Sequence, residues 1–157
     1  MANQSQGLNE DRVACLIGGF IFLLGMAYFW GVDLIGWICK MGMWVGDPMK
    51  CFKAAHKGYM EGWHALICTY VFVTVMLAVG IKLMKGNVFR FIIAFTVVYF
   101  IAICCYVIGA NAYIAANPTQ IAKMGVPWAL GLSTEAGLIV ALIVGIIIGN
   151  LFPSVVE

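Results

Sequence analysis

The chain has 157 residues, of which 64% are apolar and 10% are charged, and its formal net charge is +2. A soluble domain carries about 25% charged residues, so this chain has too little polar surface to coat a water-soluble globule. Its continuous apolar runs predict an all-α integral membrane protein, with the lipid bilayer as its surroundings. The small net charge does not favour nucleic-acid binding.

Four apolar runs are long enough to cross a bilayer. The first has no charged residue and as a helix would be about 28 Å long, close to the thickness of a hydrocarbon core. A polar N-terminal tail at residues 1–11 precedes it, and the sequence predicts a single membrane domain over 1–157. The four predicted transmembrane helices are 13–31, 63–81, 91–113 and 134–152.

The segment 48–59 predicts an interfacial helix. Asp47 and Pro48 fit an N-cap and a first helical residue. Three lysines that follow would share one side of that helix, with apolar residues on the other, which is typical of an amphipathic helix lying on a membrane surface. These lysines are Lys50, Lys53 and Lys57. The alternative is a solvated loop with scattered lysines.

The short segment between the second and third predicted spans has three cationic residues and no acidic one. They are Lys82, Lys85 and Arg90. Short loops rich in Lys and Arg stay in the cytoplasm. With four spans, this loop predicts that both termini are cytoplasmic. The longer first loop also carries lysines, but it mixes them with acidic residues and is given less weight.

The last predicted span has a stripe of small residues at every fourth position: Gly137, Ala141, Gly145 and Gly149. Positions spaced in this way lie on one side of a helix. Small residues let a second backbone approach closely, which is how helices associate in lipid. The stripe therefore predicts helix packing, against this chain or against a partner.

Few residues suggest chemistry. The two histidines, His56 and His64, lack further ligands at useful spacing, and no C-x-x-C motif occurs, so neither a metal nor another cofactor is predicted. The six cysteines fit reduced thiols that pack as small apolar groups. No nucleophile, base and orienting group occur together, so the chain is not expected to be an enzyme, and no catalytic residue is assigned.

No charged residue lies at the centre of a predicted span, which argues against an independent ion pump. Polar groups within the spans, such as Thr69 and Thr96, can bond to their own helices. Ser133, Glu135 and Asn150 flank the striped helix. They are candidates for binding only where a partner supplies the rest of a site.

Two stretches resemble a known family. Residues 131–153, G-L-S-T-E-A-G-L-I-V-A-L-I-V-G-I-I-I-G-N-L-F-P, resemble the opening of the core domain in the sulfate exporter family of transporters, also called the YeiH family. Residues 8–20, L-N-E-D-R-V-A-C-L-I-G-G-F, resemble the start of its longer members. Together the two stretches cover roughly a fifth of the chain.

The resemblance implies a multi-pass protein of a prokaryotic inner membrane. The family is expected to have about ten spans in an inverted-repeat arrangement, with the anion path inside. Most of that core would be missing from this chain, which is then either a truncated product or a separate subunit. Its expected partners are the remaining transporter helices, other membrane subunits or a second copy of itself.

The leading expectation is thus a transport-associated membrane protein that resembles the N-terminal segment of an inorganic-anion exporter. The alternative is a membrane anchor or scaffold subunit of a larger complex, for example a redox complex. Bound haem or quinone would favour the second hypothesis.

Overall fold

The computed structural model describes residues 9–56, 58–59 and 62–151. Most of these residues are helical, and the helices are α1 (Glu10–Met26), α2 (Trp63–Leu83), α3 (Val88–Gly109), α4 (Ala112–Ala115), α5 (Pro118–Met124) and α6 (Ala136–Leu151). Strands β1 (Cys39–Met41) and β2 (Phe52–Ala54) pair in a two-stranded sheet. Short 3-10 turns occupy Ala27–Trp30, Pro48–Cys51 and Ser133–Glu135.

Three helical segments within the described residues are long and apolar enough to cross a membrane: Glu10–Trp30, Trp63–Leu83 and Val88–Gly109. Helix α6 has 16 residues, or about 24 Å, whereas a spanning helix needs about 20. The predicted span at 134–152 begins within a 3-10 turn, and its last residue, Phe152, lies outside the described residues. The count of four spans therefore stays a prediction.

The third predicted span, 91–113, was too long at its C-terminal end, because α3 ends at Gly109. Asn111 has an extended backbone, with φ −60° and ψ 135°, and its side chain accepts a hydrogen bond from the Tyr113 N–H. It therefore caps the separate helix α4 rather than continuing α3. A local side-chain bond of this kind competes with helix continuation.

The predicted amphipathic helix at 48–59 is wrong. Its start was well chosen, because the Asp47 side chain accepts from the Met49 N–H and Pro48 opens a helical turn. The turn is a single 3-10 turn, however, and the chain is extended at Phe52 and continues as β2. Lys57 lies outside the described residues.

Pairing between the strands explains this outcome. The Gly42 N–H donates to the Cys51 carbonyl at 2.6 Å, and the Ala55 N–H donates to the Ile38 carbonyl at 2.9 Å. These bonds satisfy backbone groups that a short isolated helix would leave to water, and short helices are marginal by themselves.

The described chain divides into two compact units. Unit 1 comprises residues up to Cys39 together with Ala54–Val98, and unit 2 comprises Lys40–Lys53 together with the residues from Tyr99 onward. The single membrane domain expected over 1–157 stays a prediction.

Unit 1 is built around the contact of α1 with α2. A Cβ atom added at Gly80 would lie 2.9 Å from Ile17 Cδ1 and 3.0 Å from Val13 Cγ1. Gly80 thus permits a close approach of the two helices. Thr69 and Thr96 donate to the carbonyls four residues earlier on their own helices, as the sequence predicted.

Candidate functional site

Unit 2 contains a cavity of about 470 Å³ next to the C-terminal end of α3. Its walls are mostly apolar and come from Met41, Met43, Tyr106, Gly109, Ala110 and Gly137. Lys40 also lines it and contributes an exposed cationic group. A mostly apolar cavity with few polar groups is the usual form of a binding pocket.

Trp44 joins the cavity wall to the break between α3 and α4. Its backbone N–H donates to the Ala110 carbonyl at 3.2 Å, and its carbonyl accepts from the Ala112 N–H at 3.0 Å. Its indole Nε1 also donates to the Val107 carbonyl at 2.7 Å. These three bonds satisfy backbone groups that the helix break exposes, so the break is a fixed feature of unit 2.

Two glycines allow the start of α6 to approach the end of α3. A Cβ added at Gly109 would lie 2.5 Å from the Gly137 Cα, and one added at Gly137 would lie 2.5 Å from Tyr106 Cδ1. Real Cβ atoms do not come so near to other atoms. The close contact therefore depends on the absence of side chains at both positions.

Unit 1 contains a polar cluster at the loop that follows α1. His56 Nδ1 lies 2.5 Å from Asp33 Oδ2, and the Tyr59 hydroxyl donates to the Asp33 carbonyl at 2.9 Å. The Tyr28 ring stacks on His56 with 5.4 Å between centroids. The cluster ties the loop after α1 to the segment that follows β2.

The hydrogen bond from His56 is the main cause that lowers the pKa of the Asp33 carboxyl below its ordinary value of 3.8. Partial burial opposes this effect, while backbone N–H groups of Gly36 and Ile35 add to it. The other histidine, His64, lies elsewhere and packs against the Trp63 ring. Among the described residues, no three or more His, Cys, Asp or Glu side chains group closely enough to hold a metal ion.

The polar candidates chosen from sequence are not brought together. Ser133 and Glu135 lie in the 3-10 turn before α6, whereas Asn150 lies near its other end. Fifteen helical residues separate the two ends by about 22 Å. Asn150 Nδ2 donates to the Ile146 carbonyl of its own helix at 2.7 Å. A binding role for these three residues stays a prediction.

The small-residue stripe has two different parts. Gly137 is buried against Tyr106, as already described. An added Cβ at Gly145 or Gly149 would meet nothing within 4 Å in the described part of the chain. Ala141, between Gly137 and Gly145, is half-buried. Packing at the far end of the stripe therefore stays a prediction.

Sequence reasoning missed two contacts, one in each unit. Asp33 and His56 are 23 residues apart, and no local spacing signals their contact. Trp44 bonds to the α3–α4 break, although it is more than 60 residues away along the chain. Asn111 is a common capping residue within an otherwise apolar run, and it was the local signal that α3 ends before residue 113.

The comparisons with known proteins point to one membrane protein. The chain is 28% identical over 148 residues to a UPF0324 membrane protein of Nitrosomonas europaea. This chain resembles a segment of that protein. The match covers 92% of this chain but 30% of the relative's length. No family model and no solved structure matches the chain.

The similarity and the three apolar helices agree on a membrane protein. The UPF0324 relative carries no activity in its name, so the similarity supports a membrane family without a substrate. Sulfate and transport, which the resemblance implied, belong to the proposal that follows.

Proposed function

We propose that the chain is a transport-associated part of a larger membrane assembly, of the inorganic-anion exporter type. The observation that supports this proposal is the face of α6 that contains Gly145 and Gly149. Gly145 and Gly149 lack side-chain bulk and have no neighbour within 4 Å in the described chain. Interfaces between helices in lipid are enriched in small residues, whereas a surface that faces lipid has no need of them. The face is thus suited to a helix that the described residues do not provide.

The length of the relative supports the same proposal. The chain spans 30% of a protein that is itself a membrane protein. Residues that correspond to the rest of the relative's length would supply further helices. These helices would belong either to the same polypeptide or to a separate one.

The assembly is proposed to lie in a prokaryotic inner membrane with both termini in the cytoplasm. The Lys82, Lys85 and Arg90 segment joins α2 to α3 and carries no acidic residue. The positive-inside tendency favours the cytoplasmic side for this segment.

Purification in mild detergent tests the packing face. We expect the wild-type chain to co-purify with additional membrane helices, and Gly145→Leu to lose them, because overpacking a close contact costs about 1–3 kcal/mol. Ile147→Leu is the matched control, because it keeps volume at a position that is 49% exposed. Equal recovery of partners with Gly145→Leu and with wild type would show that this face contacts lipid.

Anion transport is tested in cells. Cells loaded with radiolabelled sulfate should lose it more slowly when the chain is deleted, and complementation with wild type should restore efflux. Complementation with Gly145→Leu should not. Unchanged efflux after deletion would refute the anion-export proposal, even if the helix partners are found.

A further inference from the structure

Two lysines lie opposite each other in the two-stranded sheet. The strands are antiparallel, because the hydrogen-bonded partners move forward along β1 as they move backward along β2. The Gly42 N–H donates to the Cys51 carbonyl, so two residues further into each strand Lys40 is paired with Lys53. Side chains of directly opposed residues project from the same face of a sheet. The two ammonium groups therefore share one face.

This lysine pair has no acidic partner within the ranges that the structure describes. The ion pair found there joins His56 to Asp33, and neither lysine ammonium lies within ion-pair distance of a carboxylate. Both lysines are exposed. Like charges directly opposite each other destabilise a strand pair. The described chain thus leaves two neighbouring cations uncompensated, and a bound anion would relieve their repulsion.

The lysine pair adjoins the cavity of unit 2. Lys40 and Gly42 both line this cavity. A Cβ added at Gly42 would lie 3.3 Å from Lys53 Cδ and Cε and 3.5 Å from its Nζ. The Lys53 side chain thus lies against Gly42, where only a glycine leaves it room. Both cations are therefore next to the wall of the same cavity.

The cavity itself is suited to an apolar group. Its walls are mostly apolar, and its volume of about 470 Å³ is in the usual range for a small-molecule site. A free inorganic anion would lose its hydration against such walls, which is costly. A hydrocarbon chain would gain from the same burial. The flexible thioethers of Met41 and Met43 can adapt to such a chain.

We propose that unit 2 binds an anionic phospholipid, with one acyl chain in the cavity and the phosphate held by the ammonium groups of Lys40 and Lys53. Charge complementarity selects this occupant, because a neutral lipid would leave the lysine pair uncompensated. Basic pockets beside membrane helices bind anionic head groups in the same way. The surrounding bilayer supplies the ligand. The site is independent of the proposed anion export, because a bound lipid requires no transport.

The test is native mass spectrometry of the full-length chain in detergent, with equal amounts of phosphatidylglycerol and phosphatidylcholine. Wild type should bind phosphatidylglycerol in preference. Lys40→Gln and Lys53→Gln should each weaken this binding about fivefold, which corresponds to about 1 kcal/mol for a lysine near anionic lipid. Added salt should also weaken it.

Lys50→Gln is the matched control, because Lys50 is an exposed lysine in the 3-10 turn between the two strands. This variant should bind phosphatidylglycerol like wild type. Equal binding of the two lipids by wild type, or an equal loss in Lys50→Gln, would overturn the proposal.

Thermal unfolding separates a lipid-binding lysine from a structural one. In detergent without lipid, Lys53→Gln should unfold at the wild-type temperature or above it, because the substitution removes like-charge repulsion. With phosphatidylglycerol present it should unfold below wild type, because wild type alone gains the full stabilisation by bound ligand. A lower unfolding temperature without lipid would overturn the assigned role of Lys53.

The acyl-chain part of the proposal has its own test. Ala110→Leu adds bulk at a residue that lines the cavity and should weaken phosphatidylglycerol binding, whereas Ala94→Leu, at an exposed position of α3, should not. Circular dichroism verifies the fold of both variants. Unchanged binding by a folded Ala110→Leu would overturn the placement of the chain.

Competition with head groups alone needs no variant. Inorganic phosphate and glycerol phosphate carry the anionic group without an acyl chain. At the concentration of the lipid, neither should displace phosphatidylglycerol from wild type. Displacement by either one would show a site for free anions and overturn the lipid assignment.

Discussion

The Cys39 backbone N–H donates a 2.8 Å hydrogen bond to Thr69 Oγ1, and so joins the start of β1 to helix α2. The same hydroxyl donates to the Ala65 carbonyl at 2.7 Å. One side chain thus accepts from a strand and donates to its own helix. A polar residue within an apolar helix here positions the hairpin.

Thr69→Val should therefore destabilise unit 1 by about 1–3 kcal/mol, because a part-buried N–H loses its acceptor while side-chain shape is kept. Thermal unfolding in detergent measures the loss. Thr69→Ser retains the hydroxyl and should cost much less. Equal stability of Thr69→Val and wild type would mean that water replaces the hydroxyl at this position.

Acid should weaken the Asp33–His56 contact. Because the pKa of Asp33 is lowered in the folded chain, ionised Asp33 contributes stability above its ordinary value of 3.8, and this contribution is lost as pH falls through the folded pKa. The stability difference between wild type and Asp33→Asn should thus be largest above about pH 4 and shrink on acidification.

Thermal unfolding of both proteins across pH 3–6 tests this dependence. The His56→Gln background is the control, since Asp33→Asn should cost less once the imidazole is gone. A wild-type advantage that persists unchanged at the lowest pH would contradict the assigned role of Asp33.

The two ends of the α6 stripe should respond differently to alanine. Gly137→Ala places a Cβ 2.5 Å from Tyr106 Cδ1, so it should destabilise unit 2 by about 1–3 kcal/mol through overpacking. Gly149→Ala meets no neighbour within 4 Å in the described chain. In the chain separated from partner helices it should be neutral or slightly stabilising, because Ala favours helix over Gly by about 1 kcal/mol.

Unfolding of the two variants in the same detergent provides the comparison. Comparable losses from both would indicate that helix α6 packs along its whole length in the purified protein. No loss from Gly137→Ala would mean that α6 moves away from Tyr106 at little cost.

Topology can be tested with single-cysteine reporters in a cysteine-free chain. Asn87→Cys is exposed and keeps all three cations of the α2–α3 segment. In intact cells it should resist membrane-impermeant thiol reagents, because a Lys- and Arg-rich loop stays in the cytoplasm. Met49→Cys, in the first loop, is the paired reporter and should label. Rapid labelling of Asn87→Cys with protection of Met49→Cys would invert the proposed orientation.

Apolar composition was sufficient to predict a helical membrane protein and the approximate positions of α1, α2 and α3. These helices are long and uniformly apolar, so their existence depends on local backbone hydrogen bonding in lipid and little on tertiary contacts. The same reasoning set the start at Asp47 and Pro48 correctly, because capping is also local.

The predictions from sequence were wrong where a distant segment of the chain forms hydrogen bonds with the backbone. Residues 52–54 have a pattern compatible with a helix, but pairing with β1 holds them extended. The end of α3 moved from residue 113 to Gly109 because Asn111 caps a new helix and Trp44 bonds to both sides of the break. Periodicity within a single segment contains no information about such partners.

The sequence by itself determined the solvent of this protein, because 64% apolar and 10% charged residues cannot form a water-soluble surface. It also determined which residues are small enough for close helix contacts. Only tertiary structure decided that Gly137 packs against Tyr106, while Gly145 and Gly149 have no neighbour among the described residues. Tertiary structure likewise brought Asp33 to His56, and Met41 to Cys51. The physical reason is that burial in lipid depends on each residue's own transfer energy, whereas a contact depends on where two separate segments meet.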